Sequence, residues 1–176
     1  NPGQRELPFC IHTRYSTQQA ILEDIVASLY AQGMRKLIIL SGHGGNNFKG
    51  MIRDLAFVYP DFLIIAADWF SIVSPKDYFE AVVDDHAGES ETSVMMHYHP
   101  ELVNLAEAGD GESQPFAIPS LNEKVGWAPR HWDKATVDSG VGNPKKASAE
   151  KGERYMKPVV EKLSKLFTEV GQGSLY

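Results

Sequence analysis

A short apolar run that leads into a glycine-rich turn constrains the fold of this 176-residue chain more than any other feature. Residues 37–40 (Leu-Ile-Ile-Leu) continue directly into Ser-Gly-His-Gly-Gly-Asn-Asn at 41–47, and a helical pattern begins at Phe48. An apolar run of this length bounded by glycines is typical of a buried strand in a parallel sheet. The turn would therefore lie at the carboxyl end of that strand, where open α/β sheets place their ligands.

The turn at 41–47 places a single imidazole, His43, among glycines that let the backbone approach a ligand closely. We predict that His43 binds a metal ion and that Gly44, Gly45 and Asn46 contact substrate. A histidine that only caps the following helix is the alternative interpretation. Phosphate and dinucleotide binding are disfavoured, because the string lacks the Lys-Ser/Thr ending of a P-loop and the G-x-G-x-x-G spacing.

Strand and helix patterns precede this stretch. Residues 7–11 form a candidate strand. Ser16 and Gln19 then form a capping box, which predicts a helix that ends at Gly33. The apolar face of this helix recurs at helical spacing and consists of Ile21, Leu22, Ile25, Val26, Leu29 and Tyr30.

A second helix and a second strand follow the turn. The helix is predicted from Phe48 to just before Pro60, and residues 62–67 form another apolar run typical of a parallel strand. This alternation of strands and helices predicts a doubly wound α/β sheet. Trp69 would lie at the carboxyl end of the second strand and could line a substrate pocket, although packing against a neighbouring element explains it equally well.

The stretch Asp-Asp-His-Ala-Gly-Glu-Ser-Glu-Thr-Ser at 84–93 is the second group of chemically active side chains. A helix is predicted to start near Gly88 or Glu89. Carboxylates in a first helical turn are favoured by the helix dipole, which offers a purely structural explanation for Glu89 and Glu91. That explanation does not cover His86 beside them, so one or both carboxylates are candidate metal ligands.

The last third of the chain is less regular. Residues 107–134 are rich in Gly, Pro and Ser and contain Trp127 and Trp132. A long loop of this kind is usually functional or interfacial. Asn143, which precedes a proline, is predicted to begin the last helix, and Pro158 predicts a kink within it or a broken start.

Composition disfavours two kinds of partner, nucleic acids and membranes. The formal net charge of −6 argues against nucleic acid, because affinity for a polyanion rests largely on lysine and arginine. No run approaches the roughly 18 apolar residues of a membrane helix. Cys10, the single cysteine, allows no internal disulfide and fits a reducing, cytoplasmic location. The length suits one domain over residues 1–176.

His43, His86, Glu89 and Glu91 are all predicted to lie at one edge of the sheet. Imidazole and carboxylate ligands suit zinc, manganese or iron. A bound metal would lower the pKa of a water ligand toward about 7 and so supply a nucleophile. A second histidine could then transfer a proton to a departing amine. A serine hydrolase is disfavoured, because the chain has no G-x-S-x-G motif.

Two long motifs make the chain resemble the creatininase (creatinine amidohydrolase) family. They are Ser-Gly-His-Gly-Gly-Asn at 41–46 and His-Ala-Gly-Glu-Ser-Glu-Thr-Ser at 86–93. The resemblance extends to residues 95–103 and 139–144, so it covers nearly the whole chain. It implies a three-layer α/β/α domain with a mostly parallel sheet and homo-oligomers that are often hexameric. It also implies a site with two divalent metal ions, which are zinc, manganese or iron.

The resemblance implies a role for individual residues. His43 resembles the metal-binding histidine of the family, and His86 resembles the histidine that transfers a proton near the scissile amide. Glu91 resembles the glutamate close to the metals. Members that hydrolyse creatinine carry a metal-binding glutamate at the position of Gly45, which disfavours creatinine as the substrate. Glu89 is then the candidate replacement ligand.

The first metal motif of the family, Glu-x-His-Gly-x-His-Leu-Pro followed by an aspartate, has no counterpart in this sequence. We expect that motif upstream of residue 1, and we expect the site within residues 1–176 to be open on one side. Two hypotheses about function remain. The first is a metal-dependent amidohydrolase that acts on a small amide, cyclic amide or formamide. The second is an inactive fragment or scaffold that retains the fold and the oligomer contacts.

Overall fold

The structure, a computed structural model, describes residues 2–174 and residue 176. Its α-helices are α1 (Tyr15–Ala31), α2 (Lys49–Val58), α3 (Glu89–Tyr98), α4 (Pro119–Asn122), α5 (Trp132–Ala135) and α6 (Ala149–Gln172). Its strands are β1 (Lys36–Ser41), β2 (Leu63–Asp68), β3 (Asp84–His86) and β4 (Val141–Gly142). Short 3-10 helices lie at Pro2–Gln4, Trp69–Ser71, Pro75–Asp77, Pro100–Leu102 and Pro144–Lys146.

Contacts within the chain group it into two compact units. The parallel-sheet unit comprises residues 13–73 and 158–176, and the His86 unit comprises residues 1–12 and 74–157. That the whole chain forms one domain stays a prediction. Among the helices of residues 2–174, none has both the length and the apolar character that crossing a bilayer requires.

β1 and β2 form the parallel pair expected from their apolar runs, with Ser41 opposite Asp68 at the carboxyl ends. The apolar faces of α1 and α2 pack into one core with β2. The buried residues of this core are Leu22, Val26, Met51, Leu55, Phe62 and Ile64. The prediction of a fully buried β1 is wrong for this chain, since Leu40 is 51% exposed. Among the described residues β1 pairs with β2 alone, and part of its surface is therefore uncovered.

Two predictions near the start of the chain are wrong. Residues 7–11, expected as a strand, form turns and irregular backbone instead. Pro8 has no N–H group to donate to a ladder, and the backbone at Phe9 has a φ of 59°. The expected capping box is not formed either. α1 begins one residue before Ser16, so Gln19 is the fifth helical residue, two residues deeper than a capping box requires, and the residue that precedes the helix makes no side-chain cap.

The His86 unit contains the antiparallel pair β3–β4, which the sequence did not predict. Its buried apolar residues are Phe79, Trp132, Val141, Ala147 and Tyr155. The last helix begins at Ala149 and not at the proline after Asn143, because Asn143 caps a short 3-10 helix instead. At the true start of α6, the hydroxyl of Ser148 accepts the N–H of Lys151 (3.2 Å).

Candidate functional site

His43 lies in the turn that follows β1, in the parallel-sheet unit. Its backbone carbonyl accepts two hydrogen bonds, from the hydroxyl of Ser41 (3.3 Å) and from the N–H of Asn46 (3.2 Å). Ser41 is buried, so its hydroxyl is a fixed anchor for the turn. His43 itself is half-buried, whereas Gly45 and Asn46 are exposed. The turn is thus held at its base and accessible at its tip.

Two aromatic residues lie at the carboxyl end of β2, beside the His43 turn. The rings of Trp69 and Phe70 meet edge-to-face, with centroids 6.0 Å apart. A Cβ atom placed on Gly44 would lie 3.7 Å from the Phe70 ring, so the turn and the aromatic pair are neighbours. The expected common edge for His43 and Trp69 is therefore confirmed, while contact of this edge with a substrate stays a prediction.

His86 ends β3, and 30% of its side chain is exposed. Its ring meets the buried ring of Trp132 edge-on, with centroids 5.0 Å apart. The guanidinium of Arg130 lies 4.8 Å from the Trp132 ring centroid and donates to the Asp85 carboxylate (2.7 Å). The Nδ1 atom of His86 is 3.9 Å from Glu91 Oε2. The imidazole is thus held beside an aromatic ring and a carboxylate while it remains accessible.

The residue between His86 and α3 has an unusual backbone that Glu91 holds in place. Ala87 has a φ of 51°, in the left-handed region that costs a side chain about 1–2 kcal/mol. Its N–H donates to Glu91 Oε2 (2.7 Å), and its carbonyl accepts the hydroxyl of Thr92 (3.2 Å). Glu91, the third residue of the helix, reaches back one residue further than the glutamate of a capping box does. One carboxylate therefore fixes the turn and lies near the imidazole.

Asp84, at the start of β3, also bonds the first turn of α3. Its Oδ2 atom accepts the N–H of Ser90 (3.0 Å), one of the groups that a helix N-terminus leaves without an intrahelical partner. Burial of this side chain raises the pKa of Asp84 above its ordinary value. The start of α3 is therefore tied to β3 by a side chain as well as by the connecting peptide.

Glu89, the first residue of α3, is fully buried. Its Oε2 atom accepts the N–H groups of Glu80 (2.8 Å) and Ala81 (2.7 Å). Its Oε1 atom accepts from the ammonium of Lys151 at 2.5 Å, and this hydrogen bond raises the pKa of Lys151. Hydrogen bonds from Lys146 and Lys151 lower the pKa of the exposed Glu80 carboxylate to about 2. Lys151 is a residue that sequence reasoning missed, because no local pattern links it to Glu89.

The predicted metal ligands are divided between the two units. His43 belongs to the parallel-sheet unit, whereas His86, Glu89 and Glu91 belong to the His86 unit. Their predicted convergence on one cleft stays a prediction. Within residues 2–174 and 176, no group of three or more His, Cys, Asp or Glu side chains is placed to hold a metal ion. The described residues therefore do not by themselves supply the three or four protein ligands that tight transition-metal sites use.

Sequence comparison relates the chain to hydrolases of one family. The sequence profile of the creatininase family, described as creatinine amidohydrolase, matches residues 1–167. The chain is 33% identical over 131 residues to a mycofactocin precursor peptide peptidase from Mycobacterium ulcerans (strain Agy99), covering 72% of this chain and 45% of that protein. It is 23% identical over 169 residues to the creatinine amidohydrolase of Pseudomonas putida, covering 88% and 63%. The chain thus spans about half the length of the first relative and less than two thirds of the second.

Structure comparison gives the same result. A crystal structure of a creatinine-amidohydrolase-like protein from Bacteroides fragilis NCTC 9343 matches with a TM-score of 0.96 at 84% identity, covering 100% of this chain and 70% of that chain. A variant creatininase of the Zn-Zn type matches with a TM-score of 0.74 at 22% identity, over 93% of this chain and 67% of that chain. At that identity the match shows the fold alone.

These matches define the fold as the α/β fold of the creatininases, as the sequence predicts. The chain belongs to the creatininase family.

Proposed function

We propose that this chain acts in a hydrolase that cleaves the C–N bond of a small amide, cyclic amide or formamide. The placement of His86 is the observation that supports this proposal most directly. Its partly exposed imidazole lies between the buried Trp132 ring (5.0 Å between centroids) and the Glu91 carboxylate (3.9 Å from Nδ1). The carboxylate is too far from Nδ1 for a hydrogen bond, so both ring nitrogens stay available, and the exposed part of the ring is accessible to a substrate.

The proposed reaction uses that geometry. Water loses a proton as it adds to the amide carbonyl, and the C–N bond breaks as the departing nitrogen gains a proton, so that the products are a carboxylic acid and an amine. His86 is the group proposed to deliver this proton, and Glu91 fixes its position through the Ala87 turn (2.7 Å). Proton transfer by a positioned side chain contributes about 10²–10⁴-fold to a rate.

A divalent metal belongs to the proposal because creatininase structures include Zn-Zn and Mn forms. His43, Glu89 and Glu91 are the ligands that the sequence suggests, and two zinc, manganese or iron ions per complete site are what the family resemblance implies. The described residues do not assemble a set of three such ligands. The proton transfer at His86 is accordingly the step that the geometry supports.

A peptide C–N bond is the second candidate substrate. The relative with the higher identity, 33% against 23%, is named a peptide peptidase and not a creatinine amidohydrolase. Gly45, at the position where the family resemblance implies a glutamate in creatinine-hydrolysing members, disfavours creatinine and leaves a peptide open. We further propose a homo-oligomer, which the family resemblance implies to be hexameric in many members, and a cytoplasmic location in keeping with the single cysteine.

The experiment measures hydrolysis by the purified protein with added Zn²⁺ or Mn²⁺, as ring-opened product formed from creatinine and as amine released from a formamide or a short peptide. We expect His86→Gln to lower turnover by about 10²–10⁴-fold while bound metal stays the same. His43→Ala should lower bound metal and abolish hydrolysis. His99→Gln, which changes an exposed histidine on a neighbouring segment, is the matched control. Loss of metal from the His86 variant would make His86 a ligand, and no hydrolysis of any substrate would favour the scaffold hypothesis.

A further inference from the structure

We propose that Glu89 is a positioning residue and not a metal ligand. Its buried pairing with Lys151 fixes the start of α3, and thereby the geometry of His86 and Glu91. The proposal rests on the proposed function only where it concerns turnover. It replaces the expectation that Glu89 takes over the ligand role left open at Gly45.

Both carboxylate oxygens of Glu89 are already engaged. Oε2 accepts two backbone N–H groups, and Oε1 accepts from the Lys151 ammonium at 2.5 Å. Only 1% of the Glu89 side chain is exposed. A divalent ion bound here would place its charge where the ammonium already lies, and it would break hydrogen bonds that a buried carboxylate needs. The site is therefore complete without a metal.

The Glu89 carboxylate joins three separate segments of the His86 unit. Glu80 and Ala81 precede β3, Glu89 begins α3, and Lys151 lies in the first turn of α6. Because all of these groups meet at one buried side chain, a shift of the α3 start would break several hydrogen bonds together. The arrangement therefore resists small displacements of the helix.

A second contact between α3 and α6 lies one turn further along α3. The hydroxyl of Ser93 donates to the Glu89 carbonyl (2.6 Å) and accepts the N–H of Ser148 (3.1 Å). Gly152 lies so close to the Ser93 carbonyl that a Cβ atom there would overlap it. The two helices thus approach backbone to backbone, which fixes where Lys151 stands relative to Glu89.

The start of α3 carries the candidate catalytic geometry. Only Ala87 and Gly88 separate His86 from Glu89, and Glu91 lies within the same first turn. A shift of this turn changes the 3.9 Å separation between His86 Nδ1 and Glu91 Oε2. A misplacement of about 1 Å at a reacting group costs on the order of 10²-fold in rate.

The first test uses Glu89→Gln in the whole chain, with Glu153→Gln on the exposed face of α6 as the matched control. Amide hydrogen exchange at Glu80 and Ala81 is measured with and without Zn²⁺, together with Zn²⁺ binding. We expect the unmodified protein to protect both amides equally with and without Zn²⁺. Glu89→Gln should speed their exchange by about tenfold, because a charge-assisted hydrogen bond becomes a neutral one, and should leave Zn²⁺ binding unchanged. Faster exchange on addition of Zn²⁺, or loss of Zn²⁺ binding in Glu89→Gln alone, would overturn the proposal.

The second test separates positioning from simple stability. We expect Glu89→Gln to lower kcat by about 10²-fold with KM changed much less, and we expect the pH profile of kcat to change shape. Lys151→Arg, which keeps the cation, should retain both exchange protection and most of kcat. Lys151→Met, which removes the cation, should lose both, and it is the variant to use if Glu89→Gln does not fold. An unchanged kcat in a folded Glu89→Gln protein refutes the positioning role. If the unmodified protein hydrolyses nothing, the proposed function fails, while the exchange and Zn²⁺ measurements still decide the role of Glu89.

Discussion

Removal of the cation from the buried pair tests how strongly Lys151 supports the fold. Lys151→Met keeps the length of the apolar stem but leaves the Glu89 carboxylate, 1% exposed, without its ammonium partner. The side chain of Lys151 is itself 20% exposed, so most of the pair is shielded from water. Breaking a buried pair by removing one partner costs about 3–5 kcal/mol, because an uncompensated charge stays behind.

We expect the destabilisation caused by Lys151→Met to lie at the lower end of that range. The N–H groups of Glu80 and Ala81 still bond the carboxylate after the substitution, at 2.8 and 2.7 Å in the unmodified protein. We therefore expect the free energy of unfolding to fall by about 3 kcal/mol. Lys146→Met is the matched control, since Lys146 pairs with an exposed carboxylate, and we expect it to change stability little.

Urea unfolding followed by tryptophan fluorescence measures the free energy of unfolding of both variants at neutral pH. An unchanged slope of this free energy with urea concentration shows that the variants differ in stability alone. The pH dependence gives a second check. Pairing with Glu89 raises the pKa of Lys151 above 10.5, so the stabilisation is complete below that pH and is lost as pH rises through the folded-state value. The difference in the free energy of unfolding between the unmodified protein and Lys151→Met should accordingly persist at neutral pH and narrow in strongly alkaline solution. If Lys151→Met lowers the free energy of unfolding by less than about 1 kcal/mol at neutral pH, the reasoning is refuted.

Two further predictions concern backbone geometry. Ala87→Val should lower the free energy of unfolding by about 1–2 kcal/mol, because a β-branched residue tolerates the φ of 51° poorly. Ala87→Gly should leave that free energy within about 1 kcal/mol of the value for the unmodified protein, and urea unfolding measures both variants. Gly152→Ala should lower the free energy of unfolding by about 1–3 kcal/mol despite the better helix propensity of alanine, because the methyl group overlaps the Ser93 carbonyl. The control is Gly171→Ala on the same helix, because a Cβ atom there meets no described atom within 4 Å. This substitution should raise the free energy of unfolding by up to about 1 kcal/mol. Thermal unfolding that finds Gly152→Ala more stable than Gly171→Ala would contradict this account.

Local patterns were sufficient to predict the parallel pair and the start of α3. The apolar runs at residues 37–40 and 62–67 correspond to β1 and β2 within about a residue, and the helix expected near Gly88 begins at Glu89. Hydrophobic runs and first-turn carboxylates act over short sequence distances, so they can be recognised in the sequence alone. The confirmed edge shared by His43 and Trp69 follows directly from that parallel pairing.

Features that depend on distant partners could not be predicted in this way. β3 and β4 are short strands of 3 and 2 residues, and they have no apolar alternation that would reveal them. The Glu89–Lys151 pair joins residues 62 positions apart, and the pairing depends on the packing of α3 against α6. The contact of Trp132 with His86 has the same origin, since the tryptophan lies in a region whose sequence is irregular.

The two glutamates at the start of α3 show why sequence alone could not separate their roles. Glu89 and Glu91 both lie in the first turn, where the helix dipole favours either carboxylate. Residues that are two positions apart in an α-helix are about 200° apart around its axis, so these two side chains face different surroundings. One faces the interior, where Lys151 compensates its charge, and the other reaches back to the Ala87 N–H beside His86. Glu91 is consequently the carboxylate that lies beside the imidazole, while Glu89 holds the start of the helix that follows it, which is the basis of its proposed positioning role.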